Sequence, residues 1–308
     1  MIKLVTIRDE VIDMEFRVLK YFLAVARTEN ISHAAAELHI SQPALSRQLM
    51  DLEEELGTKL LVRSKRRTTL TESGFLLKKR AEEITVLMEK TADELAHIRE
   101  GISGNVRIGC GETAGMRTIA RTVQEIRREY PNVHCHLYSM DGSGVRDRLE
   151  KGTLDFGVLI QPQPPQNYGY AELPHQDVWG IYMKKDSPLA KKSAICATDL
   201  DGLPLIVSQQ AFANQELQHY FGKEEKDLNI VATYNLVYNA SLLAEAGIGY
   251  LVCLDELLAL DGDRKLVFRP LEPKTICRNF FVWKRNQVFS RAALLLKKRI
   301  CESTIGER

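Results

Sequence analysis

Leu45, Leu49, Leu52 and Leu56 recur at spacings of four, three and four, which puts them on one stripe of a helix. Ser41 precedes the stripe as an N-cap, and Pro43 falls in the first turn, where its missing N–H is no loss. The far side of this helix carries Pro43, Ser46, Arg47 and Met50, with Gln42 at the entry. Residues 32–56 therefore read as two short helices joined by a tight turn. Leu19, Phe22, Leu23 and Ala26 share one face of an earlier helix that packs behind the pair, and Ala34, Ala35 and Ala36 are small enough for close approach. Further on the pattern narrows. Leu70, Gly74, Leu77, Ala81, Ile84, Met88, Thr91, Leu95 and Ile98 alternate spacings of four and three, the heptad seam of a long rod. Such a seam calls for a partner helix, although packing along the chain's own second half would also cover it. The rod stops at residues 101–105, a hinge by composition.

From Val106 the pattern becomes alternating strands and helices. Strands are expected at 106–110, 133–138 and 154–160, with one helix stopped by Pro131 and another over 145–151. That alternation implies a mostly parallel sheet. A second unit begins after the proline-rich 161–165, with strands at 203–207 and 248–252 and a helix within 239–246. Residues 266–270 read as a return crossing, which leaves 280–283 and a C-terminal helix to rejoin the first unit.

Composition narrows the function classes. The 308 residues are 44% hydrophobic and 27% charged, with a net charge of only +1, so affinity for nucleic acid must come from a local patch. That patch is Arg63-Ser64-Lys65-Arg66-Arg67, which runs into the β-prone Thr68-Thr69-Leu70-Thr71. Alone it could be a solvated loop. Directly after a helix-turn-helix it suits a hairpin wing that touches phosphate. Gln42 and Arg47 are of the types that pair with adenine and guanine edges in the major groove. No apolar run is long enough to span a membrane, and charges interrupt the first ten residues where a signal peptide would need an apolar core. The six cysteines are scattered without a C-x-x-C pair, which fits reduced thiols in a cytoplasm. No Gly-rich phosphate loop, G-x-S-x-G or H-E-x-x-H is present, so an enzyme is not expected. His134 and His136 lie two apart on a strand, either as a metal pair or as two surface histidines; without a third ligand, no metal or cofactor is expected.

Residues 16–74 resemble the winged helix-turn-helix of LysR-type transcriptional regulators. The likeness rests on residues 19–26, Ser32 with the alanine run, residues 41–49, Leu52-Glu53, Leu56-Gly57 and residues 70–74. Leu60-Leu61-Val62 stands where the family usually has a Phe, a conservative change for packing. The resemblance implies an α/β protein overall. It has an all-α winged helix-turn-helix at 14–74, a dimerisation linker helix and hinge at 75–104, and a two-lobed α/β effector domain at 105–308 that resembles periplasmic binding proteins. Lobe I would be 105–160 and 270–308, and lobe II 161–269. Family members begin near Met14, so residues 1–13 read as an extension.

Gln42, Pro43, Ser46 and Arg47 are then expected at bases, Arg63, Lys65 and Arg66 at phosphates, and Ser32 at the DNA as well. Thr113, Ser143, Ser208 and Asn235 sit where strands end and helices begin, and are expected to contact an effector; each type also serves as an N-cap. Helix N-termini facing the cleft favour an anionic or carboxylate effector, while Glu112 argues against a purely anionic pocket if it faces inward. The implied partners are double-stranded promoter DNA, a small-molecule effector, further copies of the chain as a dimer or tetramer, and RNA polymerase. The alternatives are a redox-sensing regulator that uses its cysteines, and a solute-binding protein without a DNA role.

Overall fold

The structure, a computed structural model, describes residues 6–7, 10–11, 14–64, 67–96, 101–213, 216–258 and 265–306. The chain divides into two compact units, Met1–Ala92 and Asp93–Arg308. Among the described residues no helix is long and apolar enough to cross a membrane.

In the first unit Thr6–Ile7 (β1) pairs antiparallel with Glu10–Val11 (β2). Three helices follow: α1 (Phe16–Thr28), α2 (Ile31–Glu37) and α3 (Gln42–Glu55). α1 ends where Glu29 turns left-handed, at φ 51°. α2 begins on the Asn30 side chain, which accepts from the His33 N–H at 3.0 Å. Ser41 caps α3 by accepting from the Ala44 N–H at 3.4 Å. Phe22, Val25, Ala34, Ala35, Leu45, Leu49 and Leu52 are buried together. α1 turns a wider face inward than its stripe suggests: Val18, Ala24 and Val25 are buried, whereas Leu23 and Ala26 are half-buried. Leu61–Arg63 (β3) and Thr68–Leu70 (β4) form the antiparallel wing, with Arg63 opposite Thr68.

The helix α4 (Glu72–Ala96) runs on from the wing. Its start lies so close to the backbone before β3 that a Cβ on Gly74 would stand 2.2 Å from the Leu60 carbonyl oxygen. Gly74→Ala is therefore expected to lower stability by about 2 kcal/mol through forced separation of α4 from the wing. A urea melt should show a lower midpoint at unchanged slope, and an unchanged midpoint would contradict the packing. Along the seam Ala81 is buried, but Ile84, Met88 and Leu95 are 37%, 49% and 62% exposed.

The second unit is one continuous mixed sheet with helices on both faces. Gly104–Cys110 (β5), Met116–Glu129 (α5), Val133–Ser139 (β6), Gly142–Glu150 (α6) and Phe156–Gln161 (β7) give a parallel trio with β5 at its centre. Tyr168–Lys184 (β8) leads out of this lobe. Ile195–Cys196 (β9), Leu205–Ser208 (β10), Gln209–Ala213 (α7), Glu216–Phe221 (α8), Ile230–Tyr234 (β11), Val237–Glu245 (α9), Tyr250–Leu254 (β12) and Leu266–Glu272 (β13) build the second lobe. Ile276–Lys284 (β14) and Arg291–Gly306 (α10) return to the first. The strand order is β11-β10-β12-β8-β14-β7-β5-β6.

Two features differ from the pattern read in the sequence. Tyr168–Val178 of β8 still pairs with β14, so the crossing lies at Asp177 and Val178 rather than at the proline-rich stretch. β13 pairs along Gly180–Lys184 within the second lobe, and the chain returns only at Ile276–Cys277. Between Arg278 and Phe280 the register shifts by two extra residues on β8. Pro174, which has no N–H to give a ladder, falls in that bulge. α5 and α10 cover one face of the first lobe through Ile119, Ile126, Ala292, Leu296 and Ile300. α6 covers the other through Val145 and Leu149.

Candidate nucleic-acid interface and ligand cleft

The turn into α3 and the wing converge on one groove. Ser32 of α2, Gln42 of α3, and Arg63, Ser64 and Arg67 of the wing line it together. Pro43 and Arg47 are exposed on α3, and Ser46 is half-buried. Arg63 donates to the Ser46 hydroxyl at 3.3 Å and stands 3.6 Å from the Glu53 carboxylate, which ties the wing to the helix. Lys65 and Arg66 lie outside the described residues. Arg67 pairs with Glu29 beside the same groove, a contact between residues far apart in sequence that no local pattern announces.

Glu53 is the buried polar anchor of this unit, at 4% exposure. Its carboxylate accepts from the Leu60 and Leu61 N–H groups at 2.8 and 3.0 Å and from Lys59 Nζ at 3.3 Å. Burial pushes this carboxyl up, but those donors outweigh it and hold the group below its ordinary value. Glu53 falls beside Leu52 on the inward side of α3.

In the second unit a cleft opens at the carboxyl ends of the parallel strands of both lobes. Gly111, Glu112, Met140 and Asp141 line it from the first lobe. Trp179, Ser208, Gln210, Tyr234 and Asn235 line it from the second. Of the four expected effector contacts, Ser208 and Asn235 thus face the cleft, whereas Thr113 and Ser143 do not line it. Thr113 is buried, donates to the Asp177 carboxylate at 2.6 Å and accepts from the Gly115 N–H at 2.9 Å. Ser143 is exposed and donates to Asp141 at 2.8 Å.

Among the described residues, three polar ties reach from one lobe to the other beside the cleft. Glu112 accepts from the Val237 N–H at the start of α9. The Gly142 N–H at the start of α6 donates to Gln210 Oε1 at 2.7 Å. Arg117 pairs with Glu256. The crossing itself is held by Asp177, fully buried, which accepts from Thr113, from Asn279 Nδ2 at 2.7 Å and from the Ala114 N–H at 3.3 Å.

Residues 16–75 match the family model of bacterial regulatory helix-turn-helix proteins of the lysR family, and residues 99–301 match the LysR substrate-binding domain. The chain belongs to the LysR family. Relatives of this LysR chain are transcriptional regulators. The Hca operon transcriptional activator HcaR of Escherichia coli (strain K12) is 28% identical over 265 residues, 84% of this chain and 87% of HcaR. The HTH-type transcriptional regulator YnfL of the same organism is 32% identical over 195 residues, 63% of this chain and 65% of YnfL. Among solved structures, CbnR in complex with its target DNA has a TM-score of 0.73 at 20% identity, covering 96% of this chain and 100% of CbnR. At that identity the likeness is one of fold.

Four of the cysteines of this LysR protein are poorly placed for redox sensing. Burial pushes the Cys110, Cys135, Cys253 and Cys301 thiols up, that of Cys253 to about 12, and no disulfide joins any of the six cysteines, of which Cys196 is exposed. A protonated thiol is a poor nucleophile toward oxidants. His134 and His136 are exposed on β6, and His136 Nε2 lies 2.7 Å from Asn105 Oδ1. Among the described residues, the ligand atoms of His175, Asp177 and Asp255 come within 4.8 Å of one another, the one group arranged as metal ligands could be. Asp177 there already receives the donors named above, and Asp255 accepts from the Val178 N–H at 2.8 Å, so the group reads as the polar pin of the crossing.

Proposed function

We propose that this LysR chain is a sequence-specific transcription regulator whose grip on promoter DNA is set by a small molecule bound in the cleft of its Asp93–Arg308 unit. The observation that carries the reading is the exposed entry of α3, where Gln42, Pro43 and Arg47 stand clear of the core. Arg and Gln make paired hydrogen bonds to base edges in the major groove. Ser32 and Ser46 flank that contact, and Arg63, Lys65 and Arg66 hold phosphate from the wing. The exposed Ile84, Met88 and Leu95 on α4 are the surface on which a second copy would seat its own helix. A two-fold dimer then reads two half-sites about one helical turn apart or a multiple of it. Ser208 and Asn235 are the effector contacts of this reading.

Fluorescence anisotropy with DNA from just upstream of this chain's own coding region tests it, at two salt concentrations and against random DNA. Arg47→Ala is expected to lose about 1–3 kcal/mol of discrimination at one base position, while Lys65→Ala weakens all sequences alike. Should Arg47→Ala bind every operator variant as the parent does, the base-reading assignment fails.

A further inference from the structure

The polar pin at the crossing between lobes also has the geometry of a metal cage, and the backbone fixes each of its three members. His175 and Asp177 lie two apart on β8, at the bulge that takes in Pro174, and bulges re-aim side chains. Asn279 Nδ2 donates to the His175 carbonyl at 3.1 Å and so ties the bulge to β14. Asp255 directly follows β12 and is locked onto β8 at Val178. Its N–H donates to the Val178 carbonyl at 2.9 Å, and its Oδ1 accepts from the Val178 N–H at 2.8 Å.

These contacts leave a set of unused lone pairs close together. His175 Nε2 is buried and has no hydrogen-bond partner. It stands 3.3 Å from Asp177 Oδ1, but without the alignment a hydrogen bond needs. Asp177 is fully buried, and its Oδ2 takes the Thr113 hydroxyl and Asn279 Nδ2. Among the described residues its Oδ1 receives only the Ala114 N–H, at a long 3.3 Å.

Ligand atoms of the three residues lie within 4.8 Å of one another. In a tetrahedral zinc site with bonds of about 2.0–2.1 Å, neighbouring ligand atoms are about 3.3 Å apart. His175 and Asp177 already have that spacing. A shift of about 1.5 Å at most brings in the third corner. His175 and Asp255 are half-buried, which gives an ion a way in and leaves the fourth position to water. Two carboxylates this close repel, and a divalent ion between them turns the repulsion into attraction. The imidazole nitrogen favours a transition ion over magnesium or calcium, which prefer oxygen donors alone.

We propose that His175, Asp177 and Asp255 bind one divalent transition ion, zinc or a close chemical relative, which ties β8 to the end of β12 at the crossing. None of the three lines the cleft, so the proposal stands whatever the cleft binds. His134 and His136 lack a third ligand; here the third comes from a strand far along the chain, which no local spacing announces.

Zinc chloride and cobalt chloride, titrated into the full-length chain, are the probes. Calorimetry is expected to show one zinc ion bound per chain. Its affinity should fall about a hundredfold in His175→Gln and in Asp255→Asn, which keeps an acceptor for Val178. Asp177 is left intact because it holds the crossing. At about a hundredfold excess over Kd, zinc should raise the melting temperature of the Asp93–Arg308 unit by about 5 °C. Cobalt should give the visible absorption of a tetrahedral site of nitrogen and oxygen ligands. No zinc binding at about 0.1 mM overturns the proposal, and so does zinc held by either variant as tightly as by the parent. A near-ultraviolet thiolate-to-cobalt band would put the ion on a cysteine and overturns it as well. Circular dichroism checks the fold of both variants, and the cobalt spectrum of the unaltered chain decides even if neither folds.

Discussion

Asp177→Leu is expected to destabilise the Asp93–Arg308 unit by about 3–5 kcal/mol, which lowers its melting temperature by about 10 °C. Asp177 is fully buried at the crossing between lobes, and three groups donate to it: the Thr113 hydroxyl, Asn279 Nδ2 and the Ala114 N–H. Leucine is of similar size but accepts nothing, so these donors are left in a dry interior, where an unmet donor costs about 1–3 kcal/mol. The costs do not add fully, because the Thr113 hydroxyl can rotate and Asn279 Nδ2 also donates to the His175 carbonyl at 3.1 Å. Asp177→Asn retains one acceptor and should lose less than Asp177→Leu. Differential scanning calorimetry reads both. A melting temperature for Asp177→Leu equal to that of the parent would show that the cluster does not pin the lobes.

Glu53→Leu should cost the DNA-binding unit about 3 kcal/mol, because it strips the acceptor from two backbone N–H groups at once. Those of Leu60 and Leu61 lead into β3, so the wing loses its anchor to α3 along with the stability. The same carboxylate predicts an acid response. Its value in the fold lies below the unfolded one, about 4.3 for Glu. Its stabilisation is therefore complete above the unfolded value and disappears as the pH falls through the folded one. Glu53→Gln, which keeps one acceptor, should be less harmful at neutral pH and should flatten the loss between neutral pH and about pH 3. Urea midpoints at both pH values decide it. Equal midpoints for parent and Glu53→Leu at neutral pH would remove Glu53 from the list of anchors.

The helix-turn-helix was legible because its signals are local. Leu45, Leu49 and Leu52 at helical spacing, the Ser41 cap and Pro43 at the entry need no distant partner to be read, and all three leucines are buried. The strands β5, β6 and β7 were legible for the same reason. β8 was not, because Pro174, His175, Gln176 and Asp177 interrupt its apolar alternation just where it bulges and crosses lobes. The cleft was half legible. Strand ends could be located, but which side chain turns inward depends on contacts more than sixty residues away: Thr113 is drawn to Asp177, and Glu112 reaches Val237. A Thr or Ser before a helix looks the same in sequence whether it meets a ligand or a buried carboxylate.

The strand order also dictates when each lobe can be completed. β14 lies between β8 and β7, inside the first lobe's sheet, yet it follows every strand of the second lobe among the described residues, and α10 behind it supplies part of the first lobe's core. Every strand of the second lobe is already present once Glu272 has been made. During synthesis the lobe inserted in the middle of the sequence therefore has its full set of strands first. The lobe that begins earlier stays split between β8 and β7 until β14 arrives. Long-range closures of this kind are the slow ones in folding, and in the interval β7 and β8 each leave open the edge that β14 will fill.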